Sequence, residues 1–430
     1  MVYGLNKQQW LVIISAWLGW LMDGYTSIAY ALVGVTISNI FFPSNIGVLS
    51  LIATFGGFAA GAVARSVGSL VFGNFIGDKI GRRNMLLITI LGFSILSASK
   101  ALLPTYNELG LIAPVLLYIV LFFEGMFAGA EYGGGTTLAL EFVPKERRGF
   151  VGSFVQSGFG TGYFIISLVY SALFSIYGKE GFESIGWRVL FATCIIPGLI
   201  TLLLRRIVRE TPIFESMKVS NEVSKVPIRE LFRESSYSVV TGLMITSGLL
   251  YINTATFSFY PTVLSLQSFE GSLIGLSIAI INLVSLFGVW LGGYIADKMK
   301  RGRREPMLIY SLIFMITEYP VIYLGLLGNI VLSTIVFSIQ AFLEAMIFST
   351  LPSFLAEQFS KKYRTTGVGF TYNGGAIVGG FAISVIFTLS PLLGLLYAWF
   401  INISLSSIIL AIGIILSKET YTGKEDPINR

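Results

Sequence analysis

The sequence predicts an all-α membrane protein, with twelve transmembrane helices in two pseudo-symmetric six-helix bundles. Three observations predict it: apolar runs of membrane-spanning length, basic residues confined to one side of those runs, and an internal repeat of half the chain. Of 430 residues 54% are hydrophobic and 12% charged, with mean hydropathy +0.78, which is too little charge to cover a soluble surface of this size. A span needs about 20 apolar residues. Runs of that kind fall at about 10–39, 46–75, 84–104, 112–142, 149–176, 185–208, 237–266, 271–296, 306–327, 330–357, 366–389 and 395–417. They do not alternate apolar with polar residues, so they are helices and not strands of a barrel.

The net charge of +6 raises the question of nucleic acid, and its distribution answers it. All 29 Lys and Arg residues except Arg65, Lys100, Lys179 and Arg188 lie on one side of a twelve-span threading. By the positive-inside rule both termini and the central loop face the cytoplasm of a multi-pass protein in the cell membrane, and no nucleic-acid partner is implied. No short hydrophobic segment with a small-residue cleavage site opens the chain, so the first span itself directs insertion. A single cysteine, Cys194, excludes an internal disulfide, and without histidine there is no soft-metal cluster. No nucleotide-binding loop is present either, so the expectation is no metal, no cofactor and no ATP.

Asp78-Lys79-Ile80-Gly81-Arg82-Arg83 after the second run has a counterpart in Asp297-Lys298-Met299 and Gly302-Arg303-Arg304 after the eighth. Glu141 and Lys145 likewise pair with Glu357 and Lys361. The chain therefore divides into bundles at 1–208 and 237–430, joined by a polar cytoplasmic linker at 209–236. Within the linker, Val226 to Arg233 has Ile228, Leu231 and Phe232 on one side, as in a short interfacial helix. Repeats with a binding site between them at the midplane are a recurrent architecture of secondary transporters.

Charges inside the spans mark the candidate site, because an ionised side chain there costs roughly 2.5–3.5 kcal/mol on insertion scales. Asp23 lies thirteen residues from Trp10, Arg65 thirteen before Asp78, and Glu131 thirteen before Pro144, each about 20 Å from the cytoplasmic edge. One arginine and two carboxylates at one depth form a cluster around a single buried cation. Two readings follow. In one the cluster is a permanent ionic lock; in the other a carboxylate takes up a proton and releases Arg65 to hold a substrate anion. Asp23 is the first choice for the proton carrier and Glu131 the second.

Glu124 and Glu344 open similar phrases on runs four and ten, where a hydrogen-bonded structural role and a direct role stand level. Polar residues that interrupt apolar spans, Tyr25, Tyr30, Gln156, Tyr251, Asn253, Asn282 and Asn373, complete the substrate candidates, although such a residue taken singly is more often a bond between helices than a ligand contact. Glu318 precedes Tyr319-Pro320 and is expected to satisfy carbonyls freed by the proline. A gate is expected at the helix ends, from Asp78, Arg82, Arg83, Asp297, Arg303 and Arg304, with Glu141 and Glu357 beside clusters that include Arg148 and Arg364.

The loop Asp78 to Arg83 resembles the G-x-x-x-D-[RK]-x-G-[RK]-[RK] signature of the major facilitator superfamily, with Asn74 in place of the leading glycine. Within it, Arg65-Ser66-Val67-Gly68, Gly129-Ala130-Glu131-Tyr132-Gly133-Gly134, Arg148-Gly149-Phe150, Trp187-Arg188 and Glu210-Thr211-Pro212-Ile213-Phe214 resemble motifs of the metabolite:proton symporters. Asp23-Gly24-Tyr25-Thr26 is similar to the D-G-[FY]-D of neighbouring carboxylate and aromatic-acid symporters, with the second acid replaced. Tyr251-Ile252-Asn253 and Lys418-Glu419-Thr420-Tyr421-Thr422-Gly423 are similar to sugar porters instead. The resemblance implies a monomeric secondary transporter, not an enzyme, with a small-molecule substrate, protons and the lipid bilayer as its partners. Its leading function is proton-coupled symport of a small organic carboxylate. A sugar or other neutral solute is the alternative, and a non-transporting sensor the distant one.

Overall fold

The computed structural model of the protein describes residues 5–44, 47–72, 82–207, 216, 219, 227–299 and 302–420, without the side chains of Arg82 and Arg83. The expected gate residues Asp78, Arg82 and Arg83, and most of the linker, lie outside what is described. The long helices are α1 (Lys7–Leu32), α2 (Gly47–Phe72), α3 (Arg82–Ser99), α4 (Ile112–Glu141), α5 (Arg148–Gly181) and α6, which comprises Trp187–Thr193 and Ile195–Arg205. The second set is α7 (Pro227–Ala255), α8 (Gly271–Met299), α9 (Arg304–Gly325), α10 (Ile330–Gln358), α11 (Arg364–Gly380, continued by Ala382–Leu393) and α12 (Leu395–Leu416).

Among the described residues eleven helical stretches are long and apolar enough to cross a membrane. One of them, Lys145–Arg205, runs 61 residues and holds two crossings, because Gly178 (φ 64°) and the π-turn Phe182–Gly186 break it between α5 and α6. Start signals are local. Asn6 and Gln9 form a capping box at α1, each side chain accepting the other's backbone N–H, and Asn329 accepts from Val331 and Leu332 at α10. The expected interfacial helix at 226–233 is the first part of α7, offset from the remainder at Ser235, with Leu231 buried and Phe232 edge-on to Phe370. The seventh span does not run unbroken to 266: α7 stops at Ala255, and a turn leads to a separate helix, Tyr260–Leu266.

Close approach of backbones fixes the first bundle. A Cβ on Gly162 of α5 would lie 2.1 Å from the Leu21 carbonyl oxygen of α1, and one on Gly129 of α4 would lie 2.0 Å from that of Arg65 on α2. Only glycine permits such spacing, and van der Waals packing is what joins helices in lipid. The bundles meet along two seams, α5 against α8 and α2 against α11.

Contacts between the bundles occur at three levels. At the end carrying the basic clusters, called here the basic end, Arg364 of α11 pairs with Glu141 of α4 at 2.9 Å. There too Asp297 of α8 accepts the backbone N–H groups of Gly149 (3.1 Å) and Phe150 (2.8 Å) and pairs with Arg303 at 2.6 Å. Midway, Tyr132 stacks on Tyr372 with ring centroids 3.5 Å apart, and Trp20 packs on both. At the opposite end Tyr163 donates to the Phe257 carbonyl, Ser171 to Ser272 (2.8 Å) and Ser384 to Ile52 (3.3 Å).

Candidate substrate site between the bundles

Between the midway aromatic layer and the opposite end lies a cavity of about 160 Å³. Its charged lining comes from the first bundle alone, from Asp23, Arg65, Lys100 and Glu124, whereas the second bundle contributes Asn253, Thr254, Ser258 and Tyr372. Asp23 and Arg65 form a two-pronged pair, Nη1 to Oδ1 at 2.9 Å and Nη2 to Oδ2 at 2.7 Å. Ser27, one turn on from Asp23, donates to Oδ1 at 3.0 Å. Arg65 Nε reaches Asn373 Oδ1 of α11 at 3.3 Å, and Asn373 Nδ2 donates to the Gly129 carbonyl at 2.9 Å, so the pair is tied to both bundles. Asp23 is buried, while the Arg65 side chain keeps 16% exposure toward the cavity.

The expected cluster around one cation is three separate pairs instead. Glu131 is not with Arg65: both its oxygens face Arg205 of α6, Nη1 to Oε2 at 3.0 Å and Nη2 to Oε1. That pair packs against Gly19, one helical turn, about 6 Å, from Asp23 toward the basic end, and it does not line the cavity. Glu124 accepts two bonds from Lys100 Nζ at 2.9 Å and one from Ser97 at 2.6 Å. Glu124 and Glu131 are seven residues apart on one face of α4, about 10 Å along it, with the Asp23–Arg65 pair on the facing helices. Arg65 is thus not the one deep cation.

Lys100 and Arg205 are the partners that sequence reasoning missed. Arg205 reads as the first of a cytoplasmic Arg-Arg pair, yet Pro197, Gly198, Thr201 and Arg205 form one buried stripe at helical spacing among lipid-facing leucines. That periodicity is the signal that finds it.

The polar candidates divide. Tyr30 lines the cavity and donates to the Thr54 carbonyl at 2.8 Å. Tyr25 is turned to Thr193 of α6 (2.9 Å) and Tyr251 to Asn402 of α12 (2.6 Å), so both act between helices and neither lines the cavity. Gln156 and Asn282 line a second, smaller chamber of about 50 Å³ that shares Phe159, Asn253 and Tyr372 with the first. Glu344 of α10 does not line the cavity and stands behind Asn253, whose Nδ2 donates to its Oε1 at 2.9 Å, while Oε2 lies 2.7 Å from Thr256 Oγ1. Glu318 does not serve the proline-freed carbonyls; it accepts from Ser404 and Ser407 of α12.

At the basic end Arg303 also approaches Glu357 at 3.8 Å and donates to the Lys145 carbonyl at 3.1 Å. Arg148 donates to the Leu140 carbonyl, and Arg304 to Glu419 and Ser417.

A model of the Major Facilitator Superfamily matches residues 12–383. The chain belongs to the Major Facilitator Superfamily. The inner membrane metabolite transport protein YhjE of Escherichia coli strain K12 is 31% identical over 378 residues, 86% of this chain and 84% of that one. The shikimate transporter of the same organism is 28% identical over 376 residues, 85% and 84% of the two chains. A partially occluded, inward-open structure of the xylose transporter XylE from E. coli superposes with a TM-score of 0.75 at 18% identity, covering 95% of this chain and 97% of that one, a likeness of fold. This member of the superfamily is a multi-pass secondary transporter of a small molecule, and its cavity lies between the two bundles.

Proposed function

We propose that the protein is a proton-coupled symporter of a small carboxylate-bearing solute, with Asp23 as the proton carrier and Arg65 as the carboxylate's anchor. One observation carries the reading: a two-pronged carboxylate–guanidinium pair forms part of the wall of a cavity between the bundles. The four charged groups of that wall sum to zero. A proton on Asp23 cancels one negative charge, leaves the wall at +1 and frees the planar fork of Arg65, which a substrate carboxylate meets with the same two hydrogen bonds. When substrate leaves, Asp23 ionises and reoccupies the fork. Proton and substrate are thereby counted together. The similarity to a shikimate transporter agrees with this reading, since shikimate is a carboxylate.

The concentration of Lys and Arg at the basic end supports a cytoplasmic location for that end and for both termini. Bundles at 1–208 and 237–430, with a linker between them, are the moving units of the proposal. A second reading has its own observation: the smaller chamber offers the neutral side chains of Gln156, Asn253 and Asn282, which suit a hydroxylated neutral solute while Arg65 stays paired.

Arg65→Lys separates the two. Lysine keeps the charge and loses the fork, and one charge-assisted hydrogen bond is worth roughly 1.5–3 kcal/mol, so substrate affinity falls about 10- to 150-fold in a folded protein. Binding is measured on purified protein with a panel of labelled carboxylates and sugars. Unchanged affinity, or a preferred substrate without an anionic group, transfers the function to the neutral-solute reading.

A further inference from the structure

Glu344 is fully buried, and no Lys or Arg among the described residues pairs with it. The helices packed on α10 carry charge elsewhere. On α5 these are Arg148, Lys179 and Glu180, on α8 Asp297 and Lys298, on α9 Arg304 and Glu305, all near helix ends, and Glu318 of α9 is engaged with α12. On the minor neighbours α4, α7 and α11, Glu124, Glu131, Glu141 and Arg364 are held in the ion pairs already described, and Arg229, Glu230, Arg233 and Glu234 lie in the first part of α7, toward the basic end. The titratable group that faces Glu344 is Tyr260, whose hydroxyl donates to Gln340 at 2.8 Å, with Tyr163 beyond it.

One hydrogen on Thr256 links the state of the carboxyl to the end of α7. A threonine hydroxyl has one hydrogen to give. Thr256 Oγ1 lies 2.8 Å from the Ile252 carbonyl oxygen, 3.2 Å from that of Asn253 and 2.7 Å from Glu344 Oε2. The hydroxyl can donate either to Glu344 or to the last turn of α7, and it serves the turn only when Glu344 brings a hydrogen of its own to the 2.7 Å contact. Asn253 Nδ2 supplies the bond to the other oxygen. An ionised Glu344 would draw the Thr256 hydrogen away from α7 and stand in an interior where no cation among the described residues compensates its charge.

We propose that Glu344 is a proton-binding site of the second bundle, occupied in this closed form, and that its proton holds the break in α7 in the shape that closes the cavity. The last carbonyls of a helix have no intrahelical partner. Here the Thr256 hydroxyl serves them only while Glu344 brings its own hydrogen. Loss of that proton turns the Thr256 hydroxyl toward the carboxylate and releases the Ile252 carbonyl, three residues before the helix ends. The segment so loosened carries Asn253, Thr254 and Ser258 into the cavity wall, and Phe257, whose carbonyl accepts from Tyr163 of the first bundle at the opposite end. One proton is therefore sensed both at the substrate and at a contact between the bundles.

The site is distinct from Asp23, and infrared spectra of the full-length protein in lipid test it separately. At neutral pH the wild type should show a carboxylic-acid C=O band that is lost in Glu344→Gln, shifted in Thr256→Val, and retained in Asp23→Asn. Glu318→Gln is recorded alongside to set aside any band from the other cation-free carboxyl. In substrate exchange across liposomes the wild-type rate should fall at alkaline pH, and Glu344→Gln, whose amide can donate permanently to Thr256, should lose that fall. An unchanged acid band in Glu344→Gln overturns the protonation, and a wild-type pH profile in that variant overturns the control of α7. Should the glutamine variant not fold, a Thr256→Val spectrum identical to wild type overturns the proposal equally. Loss of coupling in Asp23→Asn with the Glu344 band intact leaves this site standing whatever becomes of Asp23.

Discussion

Closure at the basic end should respond sharply to Glu141→Gln. Glu141 and Arg364 are fully buried and 2.9 Å apart across the two bundles, and Arg364 also donates from Nε to the Ala356 carbonyl at 3.1 Å, so its guanidinium is fixed in place. Glutamine keeps the shape and an acceptor oxygen but removes the carboxylate charge that faces Arg364 at 2.9 Å. Removing one partner of a buried pair costs about 3–5 kcal/mol. The cost falls on the closed form alone, because separation of the bundles gives Arg364 to water. At about 3 kcal/mol, the lower end suited to a substitution that retains a hydrogen bond, the closed-to-open ratio drops about 150-fold. The probe is a cysteine at Thr137, a buried α4 residue 3.5 Å from Thr365 of α11, in a Cys194→Ser background. Its maleimide labelling rate should rise by a comparable factor until most molecules are open. A Glu141→Gln/Arg364→Gln double variant leaves no orphan charge and should label more slowly than Glu141→Gln alone. Unchanged labelling in a folded Glu141→Gln protein, or a double variant as fast as the single one, refutes the reasoning.

Asp23→Asn should abolish accumulation driven by a pH gradient while exchange of pre-loaded substrate continues; accumulation equal to wild type removes Asp23 as the carrier. Glu131→Ala leaves Arg205 buried and alone and should cost about 3–5 kcal/mol of stability, seen as a lowered melting temperature, whereas a folded Glu131→Gln protein should keep the wild-type pH dependence of uptake. A shifted pH profile there would return Glu131 to the coupling machinery. Gly129→Ala puts a methyl 2.0 Å from the Arg65 carbonyl oxygen and must push α2 from α4, a strain of roughly 1–3 kcal/mol that should also displace Arg65 and weaken substrate binding. Equal melting and equal affinity would show that the helices part at no cost.

Hydropathy alone placed the long helices because lipid demands about 20 apolar residues wherever the chain crosses. The same demand hides everything that depends on rotation about a helix axis. Asp23 and Arg65 were legible as partners because each is a lone charge at matching depth. Glu131 was assigned to the same cluster by depth alone, and the error was one helical turn, since its pair with Arg205 sits at Gly19 and not at Asp23. Arg205 was invisible for a related reason. At the end of an apolar run a cation reads as a topology signal, and only the spacing of Pro197, Gly198, Thr201 and Arg205 shows that it turns inward. The stop of α7 at Ala255 also escaped, since Thr256 to Phe259 contains neither glycine nor proline. At that stop the Thr256 hydroxyl meets a carboxyl from α10, and Pro261 opens the helix that follows.

The two bundles handle buried acid differently, and that difference has a physical consequence for transport. In the first, Asp23, Glu124 and Glu131 each face their own cation, so any charge that substrate brings is met by rearranging pairs that already exist. In the second, the mid-helix carboxyls Glu318 and Glu344 are buried facing hydroxyls and an amide, with no Lys or Arg paired to them among the described residues, so only hydrogen bonds offset the burial of a charge there. Substrate charge is therefore a matter for the first bundle, and it reaches the second through the few side chains that touch both. Asn373 is one, bonding Arg65 and the Gly129 carbonyl. Asn253 is another, because it lines the cavity while donating to Glu344. On the proposed reading, substrate at the cavity face of Asn253 and the proton proposed for Glu344 act on the same amide, so each alters the energy of the other.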